Sequence, residues 1–244
     1  MTCNLCGKDK KLIEAHIIPR SFYEPLKVSG KIPILVTDTA GIFPKRSPTG
    51  IYDKNIVCES CEQLFSPWDD YGYKFFSQSF SDCKAIYDNG ELLAFNLGQC
   101  DYHKLKMFFL SMLWRASVSS HPFFKSVNLG PFEEKVAKLI LSNDSGDNKN
   151  FSVALSKFES DPNKTGMMNP HKTRISNVLH YSFYLFNFNV MIKVSSETAP
   201  RVFKDLYISS QKDVHCISRN FEESKEYDVL LNVVKNSRST EKTS

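Results

Sequence analysis

Apolar positions recur at three- and four-residue spacing most clearly between residues 101 and 119. Leu105, Phe108, Phe109, Met112, Leu113 and Ala116 share one stripe, with Lys104, Lys106 and Arg115 elsewhere. That period predicts a helix with its stripe against a core. His121-Pro122 ends it, because proline disfavours helix in the residue before it. Residues 131–141 repeat the pattern, with Phe132, Val136, Leu139 and Ile140 inward. Upstream, Glu62-Gln63-Leu64-Phe65 reads as helical, and Ser66-Pro67-Trp68-Asp69-Asp70 as a second helix start, with a serine cap and a proline in the first turn. Tyr71, Tyr73, Phe75, Phe76 and Phe80 follow, suited to core packing or, alternatively, to base stacking.

Period-two alternation marks the strands. Lys84–Tyr87 and Leu92–Phe95 flank Asp88-Asn89-Gly90, and Asn-Gly predicts a tight hairpin. Residues 151–155 and 178–194 alternate and are rich in aromatic and β-branched side chains. Nearer the start, residues 12–18 read as a strand, Pro19–Leu26 as a helix capped by Ser21, and 29–50 as loop, strand and loop with Lys45-Arg46 exposed. Asp53–Val57 reads as a short strand. Polar residues 142–150 read as a linker or exposed loop, residues 227–234 as a strand or short helix, and the chain from Lys235 onward as disordered. No internal repeat is present. The fold class expected is α+β.

Composition narrows the function classes. At 244 residues the chain can bury a real core, and 41% hydrophobic with 13% aromatic residues describes an ordered protein. A net charge of +4 permits a nucleic-acid partner without demanding one. No secretory apolar segment is visible at Met1-Thr2-Cys3-Asn4-Leu5-Cys6, and no apolar run reaches the ~20 residues that span a bilayer. The expectation is a soluble cytoplasmic protein with no membrane partner. Seven cysteines, with Cys83, Cys100 and Cys216 scattered, suit a reducing compartment better than a disulfide framework.

The remaining four cysteines form two pairs, Cys3-Asn4-Leu5-Cys6 and Cys58-Glu59-Ser60-Cys61. Two residues between the cysteines let both sulfurs of a pair face one ion, and two pairs supply the sulfur tetrahedron that a structural Zn²⁺ prefers. Chance pairs or a redox pair are the alternatives. The excursion between the pairs carries Ala15-His16-Ile17-Ile18-Pro19-Arg20-Ser21-Phe22-Tyr23, and Asp53-Lys54-Asn55-Ile56-Val57 leads into Cys58-Glu59-Ser60-Cys61-Glu62-Gln63-Leu64-Phe65-Ser66-Pro67-Trp68-Asp69.

That ordering resembles the HNH (ββα-metal) endonucleases with an added four-cysteine zinc site, strongly over about the first eighty residues. The resemblance implies a zinc-stapled, treble-clef-like ββα module over residues 1–81, followed by a helical and β-rich accessory region over 82–235 and a tail over 236–244. It implies a phosphodiester hydrolase acting on nucleic acid, expected to be DNA, with His16 as general base and Asn55 as the loop asparagine. A catalytic Mg²⁺ or Mn²⁺ is implied beside the zinc. Two positions depart from the pattern: Ala15 cannot ligate a metal, and Glu62 stands where many relatives carry histidine. Glu62, with Asp69, is the candidate replacement ligand, since carboxylates bind such ions. Arg20 is a candidate phosphate contact, or else a surface salt bridge. Lys8, Lys10 and Lys11 offer further phosphate contacts, or a solvated turn. The resemblance also suggests a restriction or phage-defence setting, with a homodimer or a defence-system protein as partner. The rival expectation is a catalytically inactive zinc module that binds nucleic acid or protein. His103, His121, His171, His180 and His215 have no partner at ligand spacing and read as structural or incidental.

Overall fold

Among the described residues between the two cysteine pairs the backbone forms only short ladders, with Pro19, Pro33, Pro44, Pro48 and Gly50 punctuating the runs. The computed structural model describes residues 1–27, 31–37, 43–159, 166–203 and 205–240. Strand β1 (Ala15–His16) is followed by β2 (Ile34–Val36), β3 (Lys45–Arg46) and β4 (Tyr52–Asp53). β1 pairs antiparallel with β4, placing Ala15 opposite Asp53 and His16 opposite Tyr52. The strand expected over 12–18 is thus trimmed to two residues, and in place of the strand expected over 53–57 stands Tyr52–Asp53, which shares only Asp53 with it. The helix expected from Pro19 is a 3₁₀ turn over Arg20–Tyr23, with no side-chain cap from Ser21. Parts of the 29–50 segment, at 28–30 and 38–42, lie outside the described residues, as do residues 241–244 of the expected tail.

Helix α1 (Glu59–Gln78) starts at Cys58 and runs unbroken through Pro67, so one helix replaces the two starts expected. Proline removes the N–H that would reach Gln63. Both residues lie on the exposed side, where solvent can serve the freed carbonyl. After α1 come β5 (Lys84–Asp88) and β6 (Glu91–Asn96), joined at Asn89 and Gly90 with φ of 48° and 85°. Two positive φ values in a two-residue loop are what the Asn-Gly pair predicts. Helix α2 (Tyr102–Val118) and α3 (Phe132–Ser142) follow, then β7 (Val153–Phe158), β8 (Gly166–Met168), β9 (His171–Ile175), β10 (Val178–Leu185), β11 (Phe188–Lys193), β12 (His215–Arg219) and α4 (Lys225–Thr240). The architecture is mixed α and β. α4 takes the helical option for 227–234 and includes residues 235–240 of the segment expected to be disordered. Glu226 and Asp228 sit in its first turn, where acids favour the helix dipole, and Ser224 Oγ accepts from the Tyr227 N–H at 3.2 Å.

Among the described residues, seven strands form the main sheet in the order β5-β6-β12-β7-β11-β10-β9. One face packs on α1 through Phe76–Phe188 and, just past the end of that helix, Phe80–Phe188, at centroid distances of 5.1 and 4.8 Å. The other face meets α4 through a smaller cluster of Phe158, Tyr184 and Phe221. One hydrophobic core reaches from Cys3 to Cys216. At its centre lies α2, whose residues Leu105 through Ala116 are all buried, Lys106 and Arg115 included. A helix apolar nearly all round is a central helix, not an amphipathic one. The buried Lys106 ammonium donates to the Phe151 carbonyl, and burial pulls its pKa down to about 7. Lys193, 1% exposed, donates to the carbonyls of Lys149 and Ser195. Together they strap down the polar loop over 142–150.

The two long helices cross closely at Gly72, where an added Cβ would lie 2.5 Å from the Phe108 ring. Phe108 is held in turn by stacking on Phe22 at 5.6 Å. Gly72→Ala should therefore lower unfolding stability by about 1–3 kcal/mol through overpacking. Helix propensity alone would instead raise it by about 1 kcal/mol. Urea denaturation gives the sign.

Candidate metal centre and adjoining histidine

The first cysteine pair is shaped by a tight turn. Gly7, at φ 67°, donates its N–H to the Cys3 carbonyl at 2.9 Å, and a bridge joins Thr2 to Asp9. The second pair is shaped by a helix start, since Cys58 is the N-cap of α1 and Cys61 donates back to the Cys58 carbonyl at 3.0 Å. Backbone bonds from Asn4 to Ile56 and from Ile13 to Val57, with a bridge between Leu12 and Cys58, hold the two pairs together. As a result the sulfurs of Cys3, Cys6, Cys58 and Cys61 all lie within 4.8 Å of one another. Cys6 Sγ and Cys58 Sγ are 4.0 Å apart, far beyond a disulfide bond and close to the ~3.8 Å edge of a tetrahedron with 2.3 Å metal–sulfur bonds. The Ser60 hydroxyl, 3.3 Å from Cys58 Sγ, draws that thiol down to about 6, while burial pushes Cys61 up. Four crowded thiols that cannot all ionise alone are a ligand set for a cation. The cluster can hold a metal ion such as zinc. Among the described residues it is the one group of three or more cysteine, histidine and acidic side chains gathered closely enough for that.

His16 stands on the neighbouring ladder, partly open to solvent. Its Nε2 is 3.0 Å from the Thr49 carbonyl oxygen. A carbonyl only accepts, so Nε2 carries the proton and Nδ1 keeps its lone pair. Burial lowers the His16 pKa, the Thr49 bond opposes that, and the charges of Arg115 and Arg20 lower it further. The balance favours the neutral ring. Gly50 makes this contact feasible: at φ 84° its backbone presses against Tyr23, where an added Cβ would meet the ring at 2.4 Å.

Beneath His16 lies a buried ion pair. Arg115, 0% exposed, donates to Asp69 Oδ2 and Oδ1 at 2.9 and 2.7 Å and to the His16 carbonyl at 2.8 Å. Its guanidinium covers the Phe65 ring at 4.7 Å. Glu62, Phe65 and Asp69 fall on one face of α1, two turns or about 10 Å from end to end. Glu62 Oε2 is buried and has no hydrogen-bond partner. Burial pushes this carboxyl up to about 6, with Arg115 pulling down and Asp69 pushing up. Arg115 thus acts on His16, Asp69 and Glu62 together.

The expected residues divide accordingly. The four cysteines converge. His16 feels the charges of Arg115 and Arg20, and Glu62 feels Arg115, but no interaction among the described residues joins Glu62 to His16 or to Arg20; Arg20 is exposed with its Nε 3.7 Å from Glu24. Asn55 is exposed, and its backbone N–H donates to Asp53 Oδ1 at 2.9 Å; no interaction among the described residues joins its side chain to His16. Lys11 is exposed beside the first pair, likewise without a contact to His16. Asp53, not Asn55, braces the turn: its Oδ2 accepts from the Ser119 hydroxyl and from the Ser120 N–H and hydroxyl at 2.9–3.1 Å. Burial works to raise the Asp53 carboxyl, but these bonds outweigh it and hold it below the ordinary range. Arg115 and Asp53 are the residues that sequence reasoning missed. A lone arginine inside an apolar helix was the available signal for the first.

Set against known proteins, the chain matches no family model, no curated protein and no solved structure.

Removing one partner of a buried pair leaves the other charge uncompensated. Asp69→Ala should cost about 3–5 kcal/mol of stability by that route. Glu134→Ala, which breaks the exposed pair with Lys138, should cost under about 0.5 kcal/mol. Parallel denaturant titrations of the two variants check the contrast.

Proposed function

We propose that this chain is a zinc-stapled, HNH-like endonuclease that hydrolyses phosphodiester bonds in DNA. The observation that carries the reading is the tautomer of His16: Nε2–H is committed to Thr49, so a neutral Nδ1 is left as a base on a partly open surface. The order of elements supports it, since β1 and β4 pair and α1 follows directly from the cysteine cluster, as a ββα arrangement requires. Zinc is an ion whose chemistry suits a shell of four sulfurs. Its role here is to fold the module, not to react.

In this reading His16 Nδ1 takes a proton from water, and the resulting hydroxide attacks phosphorus as the P–O bond to the leaving oxygen breaks. Arg115 holds the His16 main chain at its carbonyl and so fixes where the ring stands. Arg20 offers a guanidinium to the phosphate. Glu62 carries an orphaned carboxylate oxygen, which fits an Mg²⁺ or Mn²⁺ held by one carboxylate with substrate phosphate and water. Such an ion, when bound, would stabilise negative charge on the phosphoryl oxygens. Asp69 is less suited to that duty, because Arg115 occupies both its oxygens. A cavity of about 350 Å³ lined by Thr49, Gly50, Tyr52, Lys45 and Arg46 lies beside β3 and β4 and offers cationic groups for a nucleic-acid backbone.

A second reading, a zinc module that binds nucleic acid or protein without cutting, draws on that same occupation of Asp69 and on the metal-inert Ala15.

The two separate in a supercoiled-plasmid nicking assay with Mg²⁺ or Mn²⁺. His16→Ala should lower the rate at least ~100-fold, the usual range for a general base, while leaving the melting temperature near wild type. The neutral ring is the active form and its pKa is lowered, so the wild-type rate should rise with pH through a midpoint below the ordinary histidine value. A wild-type protein that binds DNA yet nicks none with either ion would decide for the non-catalytic module.

A further inference from the structure

Among the described residues the main sheet ends on β5 at one edge and on β9 at the other, and the two edges differ in kind. All five residues of β5, Lys84–Asp88, are exposed. Its inner side pairs with β6, and among the described residues no hydrogen bond reaches the backbone of its outer side. The register with β6 shifts beside Ile86, but the extra residue, Leu93, belongs to β6, so β5 itself runs on without a bulge. An open strand edge is a template for another strand. Apolar side chains gather here as well, with Ile86, Tyr87 and Leu93 being 37%, 63% and 47% exposed.

The order of charges on β5 complements its own reverse. When two copies of the strand run antiparallel with Ile86 opposite Ile86, all five residues pair, and Lys84 of each copy stands opposite Asp88 of the other. Tyr87 then faces Ala85, a large ring beside a small side chain. Opposite charges across such a ladder stabilise it, and like charges oppose it. Within the chain neither Lys84 nor Asp88 has an ionic partner among the described residues, and Asp88 stands opposite a second acid, Glu91. The other edge gives the contrary result. Two copies of β9 paired about Thr173 would set Lys172 opposite Arg174, both exposed. That like-charge pair opposes self-association through β9 and leaves β5 as the edge suited to a second copy.

We propose that β5 is the interface of a two-fold homodimer, in which the edge strands of two copies pair antiparallel about Ile86 and join their main sheets. A two-fold pairing uses the same strand on both copies, so it closes at two chains and leaves no β5 edge open. A strand of unrelated sequence would match the row of backbone groups but not the spacing of lysine and aspartate. Five paired residues a side make a small interface, so the dimer is weak, with a dissociation constant of about 1–100 µM. The assignment does not depend on the His16 reading, since no residue of that site lies on β5 or β6.

Sedimentation equilibrium of the full chain, with a reductant present so that no cysteine links two copies, tests this over about 1–500 µM protein. Wild type should follow a monomer–dimer equilibrium in that range. Asp88→Lys sets lysines opposite one another at both ends of the ladder and should weaken association at least about tenfold. Lys84→Asp should do the same through facing acids. Mixing the two single variants restores an opposite charge at each end, so the mixture should recover the association of wild type. If Asp88→Lys fails to fold, Lys84→Asp, at the other end of the strand, decides alone. A wild-type chain that stays monomeric up to about 500 µM, a dimer whose constant neither variant changes, or a mixture as monomeric as its parts would each overturn the assignment.

Discussion

Four sulfur atoms brought within 4.8 Å of one another are the constraint on which the rest depends. The residues they join are far apart in the chain: the Cys58 N–H reaches Cys3 Sγ across 55 positions. Short ladders cannot hold so long an excursion, because β1 and β4 offer only two residue pairs. Closing a long loop costs entropy that grows slowly with length, so one strong tie is an economical solution. What the tie fixes is chemical as well as mechanical. Cys58 is both a member of the sulfur cluster and the cap of α1, so the helix that carries Glu62, Phe65 and Asp69 begins at the cluster.

A second fastening joins this lobe to the rest of the chain. Arg115 comes from the central helix, yet its hydrogen bonds end on Asp69 of α1 and on the main chain of His16. Such a charge is expensive to bury and survives only with full pairing. The outcome is a rigid path from the helical core to the imidazole. The same pairing limits Asp69, whose oxygens are occupied, and leaves Glu62 as the acid with an unfilled position.

Local chemistry was legible in the sequence and three-dimensional context was not. Each CxxC pair declares itself within four residues, and Asn89-Gly90 does the same for its hairpin. The apolar stripe of α2 gave the helix its extent, but periodicity could not reveal that it is wrapped on every side. Lys106 and Arg115 were therefore expected on a polar face and turned out to be buried. Strands β9 and β12 mix charged and apolar residues, as in His171-Lys172-Thr173-Arg174-Ile175, and only their pairing in the sheet defines them. Asn55 was expected at the site on its position before the second cysteine pair. The bracing role fell to Asp53 because its side chain, facing the same way as Ala15, meets the serines at the end of α2. Nothing local to Asp53 announces that meeting.

X-ray absorption at the zinc edge of the purified full-length protein tests the account most directly. One zinc per chain with a shell of about four sulfurs at about 2.3 Å is the result predicted. A protein that folds to the same stability with no bound metal, or a shell made of nitrogen and oxygen, would contradict it.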